Sequence, residues 1–146
     1  MARLPPFQGT HMFNSILIPV ALDHDVDIAS IIATARRLLA DGGKITLVAV
    51  IEDIPDYVAE YAAVKPAEHL HQDIKQRLVD LAKGQKNLEV AVLSGKPGVA
   101  IPDLASETSA DLIVINSHKP GVEDYFLGST TSRVVRRSHC AVLVLR

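Results

Sequence analysis

The chain has 146 residues, enough for one domain with its own hydrophobic core and too few for two. Its 15 basic and 17 acidic residues give a formal net charge of −2, so a general electrostatic attraction to nucleic acid or membranes is not indicated. No apolar stretch approaches the length of a membrane-spanning helix, and the single cysteine, Cys140, excludes an internal disulfide and a cysteine-based zinc site. These features fit a reducing, cytoplasmic compartment.

Residues 1–11 differ in character from the rest of the chain. They show no hydrophobic periodicity, include two adjacent prolines and lack the apolar core of a signal peptide. The dipeptide His11-Met12 resembles a cloning scar. We therefore expect a disordered leader over residues 1–11 and a single domain over residues 12–146.

Apolar runs alternate with amphipathic stretches in the first part of the chain. Runs rich in branched residues predict strands at 16–20, 45–51 and 88–92. Apolar residues at helical spacing predict helices over 28–39 and 70–81.

The same alternation continues to the last residue. A helix follows a turn at 95–98, and its Pro102 is expected in the first helical turn, where proline is tolerated. A strand is predicted at 111–115, a helix at 129–137 and a final strand at 141–145.

Strands that are apolar on both faces and alternate with helices predict a doubly wound parallel α/β sheet with helices on both faces. Such sheets bind ligands beyond the carboxyl ends of the strands, where the strand order reverses. Functional residues are therefore expected directly after the strands, within 21–25, 50–53, 93–96 and 116–131.

The segment Gly128-Ser129-Thr130-Thr131 opens the predicted helix at 129–137. Free amides, hydroxyl groups and the positive end of the helix dipole there offer a place for phosphate. Simple helix capping explains the same residues equally well. Residues 118–146 contain five Lys or Arg residues against two acids, which favours the anion over capping, although a solvated basic helix face remains an alternative.

In this order and spacing, the segments resemble the universal stress protein (UspA) family over residues 13–146. The matching motifs are Ile16-Leu17-Ile18-Pro19-Val20, Gly95-x-Pro97-x3-Ile101-x3-Ala105, Ala110-Asp111-Leu112-Ile113-Val114-Ile115, Leu127-Gly128-Ser129, Arg133-Val134-Val135 and Cys140-Ala141-Val142-Leu143-Val144-Leu145-Arg146. The loop Ser117-His118-Lys119-Pro120-Gly121, followed by Asp124-Tyr125-Phe126, is similar to that of an ATP-binding branch with a Ser-His-Arg-Pro loop.

The resemblance implies an open five-stranded sheet in the order 3-2-1-4-5, of the adenine nucleotide alpha hydrolase-like type. It implies ATP, with Mg²⁺ as an optional companion, bound between strands one and four. By this resemblance adenosine contacts Pro19, Val20, Ala21 and Val50, and the phosphates contact Asn116, Ser117, His118, Lys119, Gly128, Ser129, Thr130 and Thr131. It also implies a homodimer through the fifth strand, Ala141–Leu145, whose unpaired apolar edge would otherwise be a liability.

The chain departs from the family pattern in two places. The usual phosphate motif is Gly-x2-Gly-x9-Gly-Ser, but Asn116 stands at its first glycine and the second glycine is missing. Ala21 stands where the family has an aspartate that contacts the nucleoside. Asp23, two residues later, either substitutes for that aspartate or caps the following helix, and both interpretations stay open.

Few residues suggest catalysis. His118 has no carboxylate at a motif spacing, so a phosphate-contacting or loop-orienting role is favoured over that of a general base. Glu52 and Asp53 could hold a hard cation, but a solvated loop is the expected arrangement and no metal site is predicted. We expect Cys140 to be a packed side chain. Because no P-loop motif is present, the sequence predicts slow ATP hydrolysis at most.

The leading interpretation is a cytoplasmic, homodimeric, ATP-binding universal stress protein that acts as a nucleotide-linked stress-response or signalling module. One alternative is a nucleotide-independent dimer that serves as an interaction module, which Ala21 and the altered glycine loop favour. The other is a small enzyme that adenylates a substrate or hydrolyses ATP weakly. No membrane or nucleic-acid partner is expected.

Overall fold

Five strands and four helices alternate along the part of the chain that the computed structural model describes, namely residues 12–21, 27–52, 67–117 and 127–146. The strands are β1 (Phe13–Pro19), β2 (Leu39–Ile51), β3 (Leu88–Ser94), β4 (Leu112–Asn116) and β5 (Ala141–Leu145), and the helices are α1 (Ile28–Leu38), α2 (Ala67–Ala82), α3 (Pro97–Glu107) and α4 (Ser129–Arg137). All strand pairs are parallel, in the order β3-β2-β1-β4-β5. The predicted doubly wound sheet and its strand order are confirmed.

Two hydrophobic cores lie on opposite faces of the sheet. Helices α1 and α2 cover one face and α3 and α4 cover the other, with buried side chains that include Ile31, Ile32, Ala35 and Leu78 on the first and Ile101, Ala105 and Val134 on the second. Along β1, Ile16 and Ile18 belong to the first core and Leu17 to the second. Successive side chains of β1 point to opposite faces of the sheet, and both faces are buried. The strand is therefore a continuous apolar run in the sequence.

The ladders around β1 differ in length. Its pairing with β2 continues from Phe13 to Pro19, and the Val20 amide still donates to Val48 O at 2.7 Å. Its pairing with β4 covers only Ile16 with Leu112 and Leu17 with Ile113. Beyond these residues β1 stays with β2 and β4 stays with β5, so a crevice opens between β1 and β4 at their carboxyl ends.

At the opposite end of the same two strands, the Asp111 side chain fastens β1 to β4. Its Oδ2 accepts from the Asn14 amide at 2.8 Å and its Oδ1 accepts from the Ser15 amide at 2.9 Å. The Asp111 amide returns a bond to Ser15 O at 3.0 Å. Hydrogen bonds to an ionised acceptor are stronger than neutral ones, so this carboxylate anchors the short β1–β4 ladder where it begins.

Several element boundaries differ from the sequence prediction by a few residues, and the start of β2 and the place of Pro102 differ most in consequence. Strand β2 begins at Leu39, six residues early, because Leu39 already pairs with Phe13 of β1; the register then shifts before Lys44 pairs with Ser15. A Cβ at Gly43 would lie 2.9 Å from Asn14 O, so this close approach requires glycine. The expectation that Pro102 lies in the first turn is wrong, since Pro97 occupies that position and Pro102 lies inside α3.

No helix within the described ranges is long and apolar enough to cross a membrane.

Replacing Asp111 with alanine is expected to lower the free energy of unfolding by about 2–4 kcal/mol, because two backbone amides lose a charged acceptor. Urea denaturation measures the change. Asp103→Ala, which removes an exposed carboxylate from α3, is the control and should change stability by less than about 0.5 kcal/mol. Equal effects of the two substitutions would show that the Asp111 anchor contributes nothing.

Replacing Gly98 with alanine is expected to destabilise the protein by about 1–3 kcal/mol. The added Cβ would lie 2.7 Å from Arg133 Cβ and 2.9 Å from Arg133 Cδ, so α3 and α4 would have to separate. At a helix position where the added Cβ meets no other atom, replacing glycine with alanine favours folding. A destabilising effect at position 98 would therefore reveal the close contact with Arg133. Gly128→Ala is the matched control, since its Cβ meets no atom within 4 Å. A stabilised Gly98→Ala variant would contradict the packing.

Candidate functional site

A cavity of about 540 Å³ lies at the carboxyl end of the sheet, where β1 and β4 separate. The ends of β1, β2 and β4 form its floor, and α1, α2, α3 and the start of α4 contribute to its walls. Its position is the point at which the strand order reverses, where doubly wound sheets bind their ligands.

Ten of the predicted site residues lie together in the wall of this cavity: Pro19, Val20, Ala21, Val50, Asn116, Ser117, Gly128, Ser129, Thr130 and Thr131. They come from four segments that are distant in the sequence. The other three, Asp23, His118 and Lys119, lie outside the described residues. What the assembled residues bind remains a prediction at this point.

Helix α4 begins in the wall of the cavity with unpaired amides. Gly128 is its N-cap, and the first hydrogen bond within the helix runs from the Ser132 amide to Gly128 O at 2.9 Å. Within the described chain, no acceptor is assigned to the amides of Ser129, Thr130 and Thr131. Together with the positive end of the helix dipole, these three donors make this end of the cavity favourable for a hydrogen-bond acceptor or an anion.

Two other helices that begin beside the cavity have part of their first-turn amides satisfied. At α1, Asp27 Oδ1 accepts from the Ser30 amide at 3.1 Å, so a carboxylate occupies the helix start. At α3, Pro97 has no N–H to offer, and the amides of Val99 and Ala100 both donate to Lys96 O. Among the described helix starts around the cavity, α4 therefore offers an anion the most free donors.

Neither backbone strain nor packing explains the glycine at position 128. Its φ of −56° and ψ of 156° are open to any residue. A Cβ built at this position meets nothing within 4 Å, in contrast to the Cβ at Gly98. The glycine therefore leaves room beside the free amides, where a ligand can approach the backbone closely.

The residues at the end of β4, Asn116 and Ser117, already have partners within the protein. The Ser117 amide donates to Leu145 O at 2.9 Å, and its hydroxyl lies 3.5 Å from the same oxygen. Asn116 also has a partner of its own. The Ser117 amide thus belongs to the sheet and is not available to a ligand in the cavity.

Apolar side chains that sequence reasoning missed form much of the remaining wall. They are Ile28 and Ile31 of α1, Ile74 of α2, and Pro97 and Ile101 of α3. In the sequence the four isoleucines look the same as ordinary core residues of helical stripes, and Pro97 belongs to the predicted turn at 95–98. Only the packing of the helices shows that these side chains flank an open space suited to a flat, apolar group.

Charge in the cavity comes from one described lining residue, Glu52, directly after β2. Its predicted companion Asp53 lies outside the described residues. Within the described ranges, no three His, Cys, Asp or Glu side chains are grouped so that they could hold a metal ion.

Cys140 lines a second, smaller cavity of about 140 Å³ together with Ala110. Burial raises the pKa of its thiol, and the negative charge of Asp111 adds to this effect. Because the thiolate is the nucleophilic form, the raised pKa agrees with a packing role.

Comparison with known proteins gives this geometry a context. Residues 12–146 match the model of the universal stress protein family. A universal stress protein of Thermus aquaticus, encoded in the QAH/OAS sulfhydrylase 3′ region, is 30% identical over 139 residues, which cover 92% of this chain and all of the relative.

Two solved structures are similar in fold and carry nucleotides. One is a universal stress protein in complex with cAMP, with 22% identity, a TM-score of 0.61 and coverage of 92% of this chain and 97% of the other. The other is the Archaeoglobus fulgidus protein in complex with dAMP, with 18% identity, a TM-score of 0.60 and coverage of 94% and 100%. The sheet has the adenine nucleotide alpha hydrolase-like fold, and the chain belongs to the universal stress protein family.

Proposed function

We propose that this protein binds ATP in the cavity between β1 and β4 and acts as a nucleotide-linked stress-response module. The observation that carries the proposal is the set of unpaired amides at Ser129, Thr130 and Thr131, which open onto a cavity of about 540 Å³. An anion placed there gains three backbone donors and the helix dipole without displacing a side chain of the described protein.

The two ends of the cavity differ in chemistry and so orient the ligand. The start of α4 is rich in donors and suits phosphates, whereas Ile28, Ile31 and Ile74 offer an apolar wall to a planar base. The cAMP and dAMP complexes of two proteins of similar fold support an adenine nucleotide as the ligand.

The remaining predicted contacts complete the proposed site. Pro19, Val20, Ala21 and Val50 are assigned to adenosine. Asn116, Ser117, His118 and Lys119 are assigned to the phosphates, in the manner of the family branch with a Ser-His-Arg-Pro loop, and Asp23 to the nucleoside or to a helix cap. Mg²⁺ is an optional partner of the phosphates, and turnover is at most slow.

We propose further that the protein works in the cytoplasm as a homodimer joined through β5. This strand is at the edge of the sheet, and its side chains from Val142 to Leu145 are only partly buried within one chain. Pairing with a second copy would cover the apolar edge.

A second function is favoured by two observations. Ala21 lines the cavity without the carboxylate that the family places there, and the Ser117 amide is bonded within the sheet. Both features reduce the contacts available to a nucleotide. They favour a dimeric interaction module that works without one, and ligand binding separates the two functions.

ATP at about 100 times its dissociation constant is expected to stabilise the protein by roughly 2.7 kcal/mol. For a domain of this size the midpoint of thermal unfolding should rise by roughly 5–10 °C. Differential scanning calorimetry with ATP, AMP and adenosine measures the shift, and ATP should give the largest. No shift with any of the three would favour the nucleotide-independent module.

Replacing Gly128 with valine is expected to weaken ATP binding at least tenfold, or about 1.4 kcal/mol, because the side chain occupies the approach to the amides. Adenosine affinity and unfolding temperature should change little, since a Cβ at this position meets no described atom within 4 Å. Titration calorimetry measures both affinities.

Gly84→Ala provides the matched control. Gly84 has a φ of +75° in the turn after α2, so this substitution should cost roughly 1–2 kcal/mol of stability and leave ATP affinity unchanged. Unaltered ATP binding by Gly128→Val would contradict a close approach of phosphate to α4.

A further inference from the structure

Glu52 places a negative charge in the lining of the cavity, in addition to the amide donors at the start of α4. It is the charged residue among the described lining residues, it is exposed, and it follows directly on the last residue of β2. Within the described chain, no hydrogen bond or ion pair is assigned to its carboxylate, and the residue lines the cavity.

The order of the strands separates Glu52 from the anion-binding end. Strand β1 lies between β2 and β4, so the carboxyl ends of β2 and β4 are two strand spacings apart, roughly 10 Å. The free amides of α4 follow β4 along the chain, and Glu52 follows β2. The cavity therefore has a donor-rich end on one side of β1 and an acceptor carboxylate on the other.

A carboxylate of this kind restricts the orientation of an anionic ligand. It repels phosphate, which favours phosphates at α4, and it accepts hydrogen bonds from the end of the ligand that lies furthest from the phosphates. In an adenine nucleotide the donor most distant from the phosphates is the 6-amino group of the base. The ribose hydroxyls lie next to the phosphate-bearing carbon and are closer to the α4 end.

On these grounds we infer that Glu52 is a specificity-determining residue that accepts a hydrogen bond from the exocyclic amino group of the bound base. The inference rests on the proposed function, since it requires a nucleotide in the cavity. Beyond that function, Glu52 would select bases that carry a hydrogen-bond donor at the position of the 6-amino group of adenine. A base that lacks the donor leaves the carboxylate without its partner and loses affinity.

The test compares ATP with purine riboside 5′-triphosphate, which has a hydrogen atom in place of the 6-amino group. Titration calorimetry is performed on the unmodified protein and on the variants Glu52→Ala and Glu52→Gln. The unmodified protein should prefer ATP at least tenfold, and Glu52→Ala should reduce that preference about tenfold. Glu52→Gln should keep part of it, because the amide oxygen is still an acceptor but carries no charge.

Two controls separate this contact from general effects of charge. Glu107→Gln removes an exposed carboxylate at the end of α3, outside the cavity, and should keep the full preference for ATP. 2′-Deoxy-ATP reports contacts to the sugar, and its affinity relative to ATP should be the same with and without Glu52.

An unchanged preference for ATP over purine riboside triphosphate in Glu52→Ala would overturn the inference while leaving ATP binding established. A Glu52→Ala variant that alters only the preference against 2′-deoxy-ATP would also overturn it, because the carboxylate would then contact the sugar. If the unmodified protein bound neither triphosphate, the proposed function and the inference would fail together.

Discussion

The cavity depends on the way β1 and β4 are joined at one end and parted at the other. The Asp111 carboxylate accepts hydrogen bonds from the amides of Asn14 and Ser15. Beyond this point β1 and β4 pair at only two positions before they diverge. After that point each strand keeps its hydrogen bonds with its outer neighbour. A fixed amino end and an open carboxyl end together produce a crevice within a sheet that is otherwise continuously bonded.

Glycines in this protein serve different physical needs, and the structure distinguishes them. Gly43 and Gly98 lie where another chain segment or side chain approaches the backbone too closely for a Cβ. Gly84 supplies a positive φ in a turn. Gly128 has neither requirement: it is the N-cap of α4, and it leaves open space beside first-turn amides to which no described residue is assigned as an acceptor.

The fold was predictable because its information is local. Runs such as 16–20 are apolar on both faces, and helical stripes separate them, which leaves few arrangements besides a doubly wound parallel sheet. The strand order and the individual adenosine and phosphate contacts came from the family resemblance, whereas the helix start at Gly128–Thr131 was already indicated by its residue types. Packing details were not predictable: the early start of β2 depends on the pairing of Leu39 with Phe13, and the apolar wall at Ile74 depends on where α2 docks. The bond from Ser117 to Leu145 likewise joins residues that the sequence keeps far apart.

That last bond has a mechanical consequence. Ser117 lines the cavity, and its amide is held by Leu145, the final residue of the edge strand β5. A shift of the Ser117 backbone that accompanies occupancy must either carry Leu145 along or stretch this hydrogen bond. The interior crevice and the outermost strand therefore share a geometric constraint, which gives the sheet a short route for transmitting displacement from its centre to its margin.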